Sequence, residues 1–454
     1  MPRQPAPSER PVALTVAGSD SGGGAGIQAD LTTMAARGAH PTSAVTAATA
    51  QHTRGVESTH VLPTEEVAAQ IDAVRDDFAV GAAKTGMLAT EEIVALATER
   101  LGDAPFPLVV DPVMVAASGD RLLDPAAEAA YEDLVGVATL ATPNVDEAEV
   151  LTGRSIEDAA DARAAARDVV DLGADAALVT GGHLDGDRVR DVLVTAETER
   201  TVEHERIADA ATHGSGCTLS AGIAARLADG DDLERAVTDE LSAMTRAVRY
   251  ATDVGQGPGA VQGMAPLRTD AARQGTVAAV RNVVDRLVAA DVGELIAEVG
   301  TNVAGAVPYA EDPREVAGVD GRLSRTLDGV AATGAVRFGA SDHLARFLLS
   351  AREHHPELRF AINLRHDDAT RAALSALDWD TATYDRTDQP AEVRSEEGST
   401  MAWAARESLA DRVAPPVAVT DPGAVGKEPM CKLLATDAER LADRTLDLLA
   451  ARPD

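Results

Sequence analysis

The chain has 454 residues, 45% apolar and 25% charged, which are the proportions of an ordinary globular protein with more than one domain. Acidic residues outnumber basic ones 74 to 41, and the net charge of −33 argues against binding to nucleic acid or to an anionic membrane surface. No apolar run reaches the ~18 residues of a membrane span, and two cysteines, Cys217 and Cys431, favour a reducing, cytoplasmic location.

The first half of the chain alternates short apolar runs with helical patterns, after a proline-rich segment at 1–10 that we expect to be a disordered lead. The predicted strands are 12–17, 45–50, 107–114, 140–144 and 176–182. The predicted helices are 27–38, 64–75 with Thr64 as N-cap, and 90–101. This alternation predicts a mostly parallel sheet covered by helices, with ligands at the carboxyl ends of its strands.

A Gly/Pro-rich stretch ends this pattern, and we place a linker at residues 263–275. A strongly amphipathic helix follows at 276–291. Beyond it, strand-like pieces (297–307, 334–339, 359–366 and 415–421) alternate with helical patterns (344–355 and 437–451). Residues 276–454 are therefore predicted to form a second, smaller α/β domain.

The segment Gly18–Gly26, GSDSGGGAG, follows the first predicted strand. Glycine admits positive φ angles and lets a ligand approach the backbone closely, although such a segment can equally be only a turn. It does not match the dinucleotide-binding fingerprint, because no acidic residue ends a following strand at the right place. A second Gly-rich segment, 423–428, lacks the spacing and the Ser/Thr of a Walker A motif.

Residues 212–221, THGSGCTLSA, lead into an apolar helical pattern. Small residues at the start of a helix expose backbone N–H groups, which together with the helix dipole form an anion site suited to a phosphate. Cys217 lies in this first turn, where we expect the thiol pKa to fall and a thiolate to be accessible. The alternative is a capped helix that buries a small cysteine.

These segments belong to an ordered series of motifs: AGSDSGGGAGIQADL, TAATAQHTRGV, AAKTGML, VVDPVM, TPNVDEAEVL, GGH and THGSGCTLSA. Over residues 11–262 the series resembles the hydroxymethylpyrimidine kinase/phosphomethylpyrimidine kinase family (ThiD type) of the ribokinase-like superfamily. The resemblance implies a three-layer α/β/α domain with a mostly parallel sheet. It also implies that ATP and Mg²⁺ phosphorylate 4-amino-5-hydroxymethyl-2-methylpyrimidine twice, giving the pyrimidine diphosphate used to make thiamine.

The resemblance also implies roles for individual residues. Cys217 would activate or orient the hydroxymethyl group, and the Gln51 amide would pair with the aminopyrimidine edge. The other implied residues are Gly18, Asp30 and Met87 for the pyrimidine, Asn144, Gly214, Ser215, Gly216 and Lys84 for ATP or phosphate, and Asp111 and Glu147 for Mg²⁺. Thr180 is a departure, because the family commonly has a phosphate-neutralising lysine before GGH; Lys84 or a nearby arginine could replace it.

The second domain resembles the archaeal-type thiamine-phosphate synthase domain (ThiN type). The motifs that carry the resemblance are GVDGR (318–322), FGASDHLAR (338–346), AINLR (361–365) and DPGAVGKEPM (421–430). The implied reaction joins the pyrimidine diphosphate to a thiazole phosphate, giving thiamine phosphate and pyrophosphate. Arg322 and His343 match the residues expected to be catalytic, since an expelled pyrophosphate needs cationic donors. His343 could instead cap a helix or lie on the surface, and Lys427 is a weaker candidate.

The sequence therefore predicts a bifunctional enzyme whose partners are small molecules: hydroxymethylpyrimidine, ATP and thiazole phosphate. We also expect it to be a homo-oligomer. Two alternatives stay open. The second domain could sense thiamine phosphate without catalysis, or the first could be a pyridoxal kinase.

The basic residues are almost all arginine, with only three lysines, Lys84, Lys427 and Lys432. An acidic, lysine-poor chain predicts adaptation to a salt-rich cytosol. The alternative is a merely acidic protein from an ordinary cytosol.

Overall fold

The computed structural model describes residues 9–114, 128–390, 399–424 and 426–453. It contains two compact units, Met1–Leu267 and Arg268–Asp454. Most of the expected disordered lead, residues 1–8, lies outside the described residues. No helix within these ranges is long and apolar enough to cross a membrane.

The first unit is built on a nine-stranded sheet in the order β3-β2-β1-β4-β5-β6-β7-β8-β9. The six strands from β2 to β7 in this order pair in parallel, and β3, β8 and β9 pair antiparallel at the two edges. The bounds are β1 (Val12–Asp20), β2 (His40–His52), β3 (Gly55–Val61), β4 (Val80–Thr85), β5 (Leu108–Val110), β6 (Leu140–Ala141), β7 (Ala176–Val179), β8 (Arg188–Thr195) and β9 (Glu199–Glu205).

Helices cover both faces of this sheet. The bounds are α1 (Gly26–Ala36), α2 (Thr64–Asp77), α3 (Glu91–Leu101), α4 (Glu128–Val135), α5 (Val145–Thr152), α6 (Ala159–Asp171), α7 (Ser215–Ala228) and α8 (Leu233–Arg249). One apolar core lies between the sheet and α1, α7 and α8, and a second between the sheet and α2 to α6. This is a three-layer α/β/α architecture with a mostly parallel sheet, as the resemblance implies.

Two local expectations for the first unit differ from the structure. Pro63, not Thr64, is the N-cap of α2, because its carbonyl accepts the first helical hydrogen bonds, from the N–H groups of Glu66 and Val67. The antiparallel edge strands β3, β8 and β9 are absent from the predicted strands, because their exposed positions carry charged and polar residues instead of an apolar run.

The second unit has a seven-stranded sheet in the order β14-β11-β10-β15-β18-β17-β16, antiparallel except for the pair β16 and β17. The bounds are β10 (Val303–Ala306), β11 (Val316–Val319), β14 (Val336–Phe338), β15 (Phe360–Arg365), β16 (Thr381–Thr383), β17 (Ala418–Asp421) and β18 (Met430–Ala435). A separate hairpin joins β12 (Leu323–Thr326) to β13 (Gly329–Ala332).

Helices cover both faces of this sheet too. They are α9 (Ala265–Ala289), α10 (Asp342–His354), α11 (Asp368–Ala376), α12 (Ser399–Leu409) and α13 (Ala438–Ala450). One apolar core contains residues of α9, α11 and α13, and the other contains residues of α10 and α12. This confirms a second, smaller sheet domain.

The expected linker at 263–275 is corrected, since α9 begins at Ala265 and runs through most of it. The Gly/Pro-rich composition ends at Gly263, and the sequence APLRTDAARQ that follows consists largely of helix formers. Pro266 is tolerated because it lies in the first turn, where its missing N–H has no helical partner to lose. The boundary between the units falls within this helix, at Leu267.

Candidate active sites

A cavity of about 660 Å³ lies at the carboxyl ends of the parallel strands of the first unit. Strands β1 and β4 are neighbours at the centre of this sheet, and the chain leaves them in opposite directions, an arrangement that opens a crevice. Of the residues predicted for this unit, the structure brings ten to the cavity wall: Gly18, Gln51, Met87, Asp111, Asn144, Glu147, Gly214, Ser215, Gly216 and Cys217.

The Gly-rich loop after β1 is organised by Asp20, which is 2% exposed. Its carboxylate accepts hydrogen bonds from the backbone N–H groups of Gly22, Gly24 and Ala25 at 2.7, 3.0 and 2.8 Å. It also lies 3.2 Å from His213 Nε2. Burial would raise the pKa of Asp20, but the His213 hydrogen bond and these N–H donors hold it below its ordinary value. Asp20 thus joins the loop to the start of α7.

The α7 start requires glycine at position 214. Gly214 has φ +80°, and a Cβ there would lie 1.9 Å from the carbonyl oxygen of Gly24. The Ser215 N–H donates to the Thr212 carbonyl at 3.0 Å, so Gly216 and Cys217 offer the N–H groups of this first helical turn, and both residues line the cavity. The arrangement can bind an anion, as the sequence predicts.

Cys217 is half-buried, and its environment reverses the expected pKa shift. Burial raises the pKa of the thiol to about 12, with the carboxylates of Asp30 and Asp111 adding to the rise and the Lys84 ammonium opposing it. The expectation that the thiol pKa falls is therefore wrong. A neutral thiol in this position can still donate a hydrogen bond to an acceptor oxygen.

Asp30 and Lys84 do not line the cavity; both are fully buried behind it. Lys84 Nζ donates to the two Asp30 oxygens at 2.9 and 3.0 Å, and Thr15 Oγ1 donates to Asp30 Oδ2 at 2.6 Å. Burial raises the pKa of Asp30, and the Lys84 ammonium and the Thr15 hydroxyl oppose that rise. Although burial would lower it, the Asp30 carboxylate raises the pKa of Lys84. A buried, paired ammonium is not placed to bind ATP directly.

Asp111 and Glu147 present two buried carboxyl groups to the cavity. Asp111 Oδ2 accepts from Ser220 Oγ at 3.0 Å and lies 3.9 Å from Lys84 Nζ. Glu147 forms a capping box with Asn144 at the start of α5. Burial, with the neighbouring Asp111 charge, raises the pKa of Glu147 to about 8. In the described ranges, no group of three His, Cys, Asp or Glu side chains could hold a metal ion by itself.

Gly18, Gln51 and Met87 form one end of the cavity. Gly18 N–H donates to the Met87 carbonyl at 3.1 Å, and a Cβ at Gly18 would lie 2.2 Å from Met87 Cε. Gln51 sits at an irregularity in the pairing of β2 with β3, and its Oε1 accepts from Thr49 Oγ1 at 3.2 Å. An amide beside an apolar methionine suits a flat heterocycle with donor and acceptor edges.

Three further residues line this cavity without having been selected from the sequence: Asp191, His204 and Arg206. Asp191 lies in β8, His204 lies in β9 and Arg206 follows β9 directly; neither strand is among those predicted from the sequence. Arg206 donates to the carbonyls of Gly182 (2.7 Å) and Gly186 (2.8 Å), and also to that of Leu184. It therefore fixes the turn that follows Thr180, but this guanidinium is already committed to backbone oxygens.

In the second unit, segments from three of the four motifs, 318–322, 361–365 and 421–430, meet at one edge of the sheet. This edge holds the start of β10 and the ends of β11 and β15, together with the turn between β17 and β18. Asn302, just before β10, accepts the N–H of Val319 and donates to the carbonyls of Val319 and Gly321. Asn363 accepts the N–H of Asn302 at 2.8 Å. Neither asparagine was predicted, although Asn363 lies within the AINLR motif.

Arg322 is exposed at this edge and donates to the carbonyl of Val299. Glu428, from the 421–430 motif, accepts the N–H groups of Glu298 (2.8 Å) and Val299 (3.1 Å). Residues of two different motifs therefore bind the same backbone segment, at Glu298 and Val299. His343 is exposed in the first turn of α10, two residues after Ser341, which lies over Gly318 in β11.

A buried polar network lies beside this edge. Lys432 Nζ donates to Tyr384 Oη at 2.9 Å, and Tyr384 donates to Asp421 Oδ2 at 3.1 Å. Asp421 also accepts from Arg386 Nε and, at 2.8 Å, from Gly423 N–H, the start of the β17–β18 turn. Burial lowers the pKa of Lys432 to about 8, although Asp421 opposes the fall.

Each of the two units matches a known protein family. Residues 20–262 match the family model for phosphomethylpyrimidine kinase, and residues 279–447 match the model for thiamine-phosphate synthase ThiN. A hydroxymethylpyrimidine/phosphomethylpyrimidine kinase of Streptomyces coelicolor is 46% identical over 56% of this chain and 95% of its own length. The thiamine biosynthesis bifunctional protein ThiED of Geobacter sulfurreducens is also 46% identical, over 56% of this chain and 53% of its own length.

Two solved structures are similar to the first unit. An ADP complex of Bacillus subtilis pyridoxal kinase has a TM-score of 0.54 and 34% identity, covering 57% of this chain and 99% of that one. Staphylococcus aureus pyridoxal kinase in complex with pyridoxal has a TM-score of 0.54 and 30% identity, covering 57% and 96%.

Proposed function

The chain belongs to the phosphomethylpyrimidine kinase family and carries a thiamine-phosphate synthase ThiN domain, and we propose that the two units catalyse successive steps of thiamine biosynthesis. The first phosphorylates 4-amino-5-hydroxymethyl-2-methylpyrimidine and then its monophosphate. The second condenses the resulting diphosphate with a thiazole phosphate. The observation that carries the kinase half is that a heterocycle-binding end and an anion-binding helix start share one cavity.

In the first transfer the hydroxymethyl oxygen forms a bond to the γ-phosphorus of ATP while the bond from that phosphorus to ADP breaks. The second transfer repeats this with a phosphate oxygen as nucleophile. The Gln51 amide orients the pyrimidine, and the N–H groups of the α7 turn stabilise the charge on the transferring phosphoryl group. Cys217 holds the acceptor hydroxyl in line. Asp30 and Lys84 act from behind the wall by fixing the charge around the Cys217 sulfur.

Asp111 and Glu147 fit a Mg²⁺ site. Burial, and then the Asp111 charge, raise the pKa of Glu147, and a divalent cation would offset both effects. When bound, Mg²⁺ would neutralise phosphate charge, and two carboxylates with water and phosphate oxygens are its usual ligands. Glu147→Gln should therefore raise the Mg²⁺ concentration needed for half-maximal turnover.

In the second unit, the thiazole nitrogen forms a bond to the pyrimidine methylene carbon, while the bond from that carbon to the diphosphate oxygen breaks. The diphosphate leaves with the electron pair. Arg322 lies at the edge where the motifs meet and would stabilise the developing negative charge. His343 would donate a second hydrogen bond or a proton.

The test is product analysis by mass spectrometry. Purified protein with the pyrimidine, ATP, Mg²⁺ and thiazole phosphate, in molar KCl, should yield the monophosphate, the diphosphate and thiamine phosphate in that order. Failure to phosphorylate the pyrimidine would reject the kinase assignment. Diphosphate formation without thiamine phosphate, combined with tight binding of thiamine phosphate, would establish the sensor alternative.

Pyridoxal kinase remains a second candidate because the two pyridoxal kinase structures resemble the first unit. Gln51 in the heterocycle end of the cavity favours the aminopyrimidine. Comparing kcat/KM for the pyrimidine and for pyridoxal decides between them. The acidic, lysine-poor composition supports work in a salt-rich cytoplasm, and sedimentation tests the expected homo-oligomer.

A further inference from the structure

The cavity of the first unit has an excess of negative charge on its wall. The carboxylates are Asp20, Asp111, Asp146, Glu147, Asp191 and Glu205, and the basic groups are His183, His204, Arg206 and His213. No lysine lines the cavity among the residues that the structure describes. A nucleoside triphosphate carries several negative charges, more than one Mg²⁺ neutralises, so a cationic side chain on the wall would strengthen its binding here.

The wall contains one buried acidic group with an unsatisfied oxygen. Asp191 is 3% exposed, and its Oδ1 accepts the Gly181 N–H at 2.9 Å. Its Oδ2 is buried and accepts no hydrogen bond within the described ranges. The nearest basic atom is His204 Nδ1 at 3.6 Å, which is also buried without a hydrogen-bond partner there. A small movement of the His204 side chain, for example when a ligand binds, would bring Nδ1 and Asp191 Oδ2 within hydrogen-bond distance.

Strand pairing explains why these side chains meet. Val179 of β7 lies opposite Val192 of β8, so Thr180 and Asp191 are the next facing positions. His204 of β9 pairs with Val189, diagonal to Asp191 on the same face of the sheet. Thr180, Asp191 and His204 all line the cavity. From this cluster the chain runs on to the Gly214 turn, where the anion-binding N–H groups lie.

Each other basic group on the wall is already engaged. His213 lies against the buried Asp20, and Arg206 donates to three backbone carbonyls. His183 Nδ1 lies 2.9 Å from Asp146, but both side chains of this pair are largely exposed, and solvent screens the charge of the imidazole. A carboxylate beside Nδ1 orients the imidazole ring and leaves Nε2 for a ligand. The imidazole of His204, 26% exposed to the cavity, is placed for this.

We propose that Asp191 and His204 are additional residues of the ATP site in the kinase cavity. His204 Nε2 donates a hydrogen bond to an ATP phosphate oxygen, and Asp191 positions the imidazole ring. This rests on the proposed kinase function. The His204 imidazole would then supply the positive charge that the uncharged Thr180 does not carry.

ATP binding by the full chain, measured without pyrimidine, tests the site separately from the phosphoryl transfer. His204→Gln should weaken ATP binding by about tenfold, the loss of one hydrogen bond to a charged group. Asp191→Asn should weaken it in the same direction. Adenosine binding should be unchanged in both variants, which also shows that the cavity is intact. His60→Gln, at an exposed position on β3, is the control and should behave as the parent.

A rescue variant makes the test specific. Lysine at position 180 would face Asp191, so Thr180→Lys in the His204→Gln background should restore most of the lost ATP affinity. In turnover, His204→Gln should raise KM for ATP while kcat and KM for the pyrimidine stay near the parent values. Unchanged ATP affinity in His204→Gln would overturn the proposal, and an equal loss of adenosine affinity would overturn the phosphate assignment. A parent that binds ATP with this pattern but leaves the pyrimidine unphosphorylated would reject the proposed substrate alone.

Discussion

Cys217 shows how strongly a single side chain depends on its surroundings. Its place in the first turn of α7 can be predicted from the sequence, because small residues precede an apolar helix. The resemblance implies Asp30 and Asp111 for the same site, but their influence on the thiol cannot be predicted from the sequence, because the three residues come from distant parts of the chain. Their burial with the thiol reverses the direction of its pKa shift.

Replacing this sulfur tests its role. Cys217→Ala should reduce kinase turnover by about 10²-fold, because the acceptor hydroxyl loses its orienting group. Thermal unfolding should shift little, since only a small, half-buried atom is removed. Initial rates with the pyrimidine as acceptor check this, and a variant that turns over at the parent rate would show that Cys217 has no part in the transfer.

Lys432 predicts a pH effect on stability. Its pKa is about 8 in the folded protein and 10.5 ordinarily, so between these values the unfolded state binds more protons. The stability contributed by this group therefore rises with pH from about 8 to 10.5. Lys432→Met should remove that rise. Urea midpoints of both proteins at pH 8 and pH 10 measure it, and parallel pH dependence in the two would contradict the prediction.

At the scale of elements, the apolar runs in the sequence predict the buried parallel strands, because such strands have hydrophobic neighbours on both faces. They miss β8 and β9, in which exposed charged residues leave at most a short apolar run (Val192–Val194), and so they miss Asp191 and His204. In the second unit, strand β18 was missed although it carries Lys432, since its MCKLLA sequence follows directly on a Gly-rich motif. The α9 start was also missed, because Gly263 and Pro266 resemble a linker.

The turn before α7 gives a prediction at this scale. Gly214→Ala places a Cβ against the Gly24 carbonyl and forces a non-glycine residue into the left-handed region, costing at least about 1–2 kcal/mol. Both the melting temperature and ATP affinity should fall. Gly230→Ala, also at a positive φ but with open space around its Cβ position, is the control for backbone strain alone. Equal losses in the two variants would remove the argument from the Gly24 contact.

For the whole molecule, the two units have separate cores, so damage to one should spare the other. Arg322→Ala and His343→Ala should each reduce thiamine phosphate formation by about 10²–10³-fold, while the first unit continues to phosphorylate. The pyrimidine diphosphate should then accumulate. Chromatography of the reaction mixture shows this, with Arg325→Ala, another exposed arginine of the second unit, as control. Undiminished thiamine phosphate output would withdraw the assignment of both residues.

The net charge of −33 acts on the molecule as a whole. Like charges repel more strongly in the compact state than in the unfolded chain, and salt screens that repulsion. Tm should therefore rise from dilute buffer to molar KCl. Calorimetry at several KCl concentrations measures Tm. A Tm that does not change with KCl concentration would contradict the adaptation to a salt-rich cytosol.

The placement of the three lysines has a consequence for chemical labelling. Lys84 is fully buried and Lys432 is 4% exposed, whereas Lys427 is exposed. Acylating reagents attack unprotonated amines that they can reach, so on the native protein the lysine side chain they modify is Lys427. The number of acyl groups that mass spectrometry finds on lysine after a short pulse would rise from one to three only when both cores open. The protein thus carries its own reporter of unfolding, with Lys84 marking the first unit and Lys432 the second.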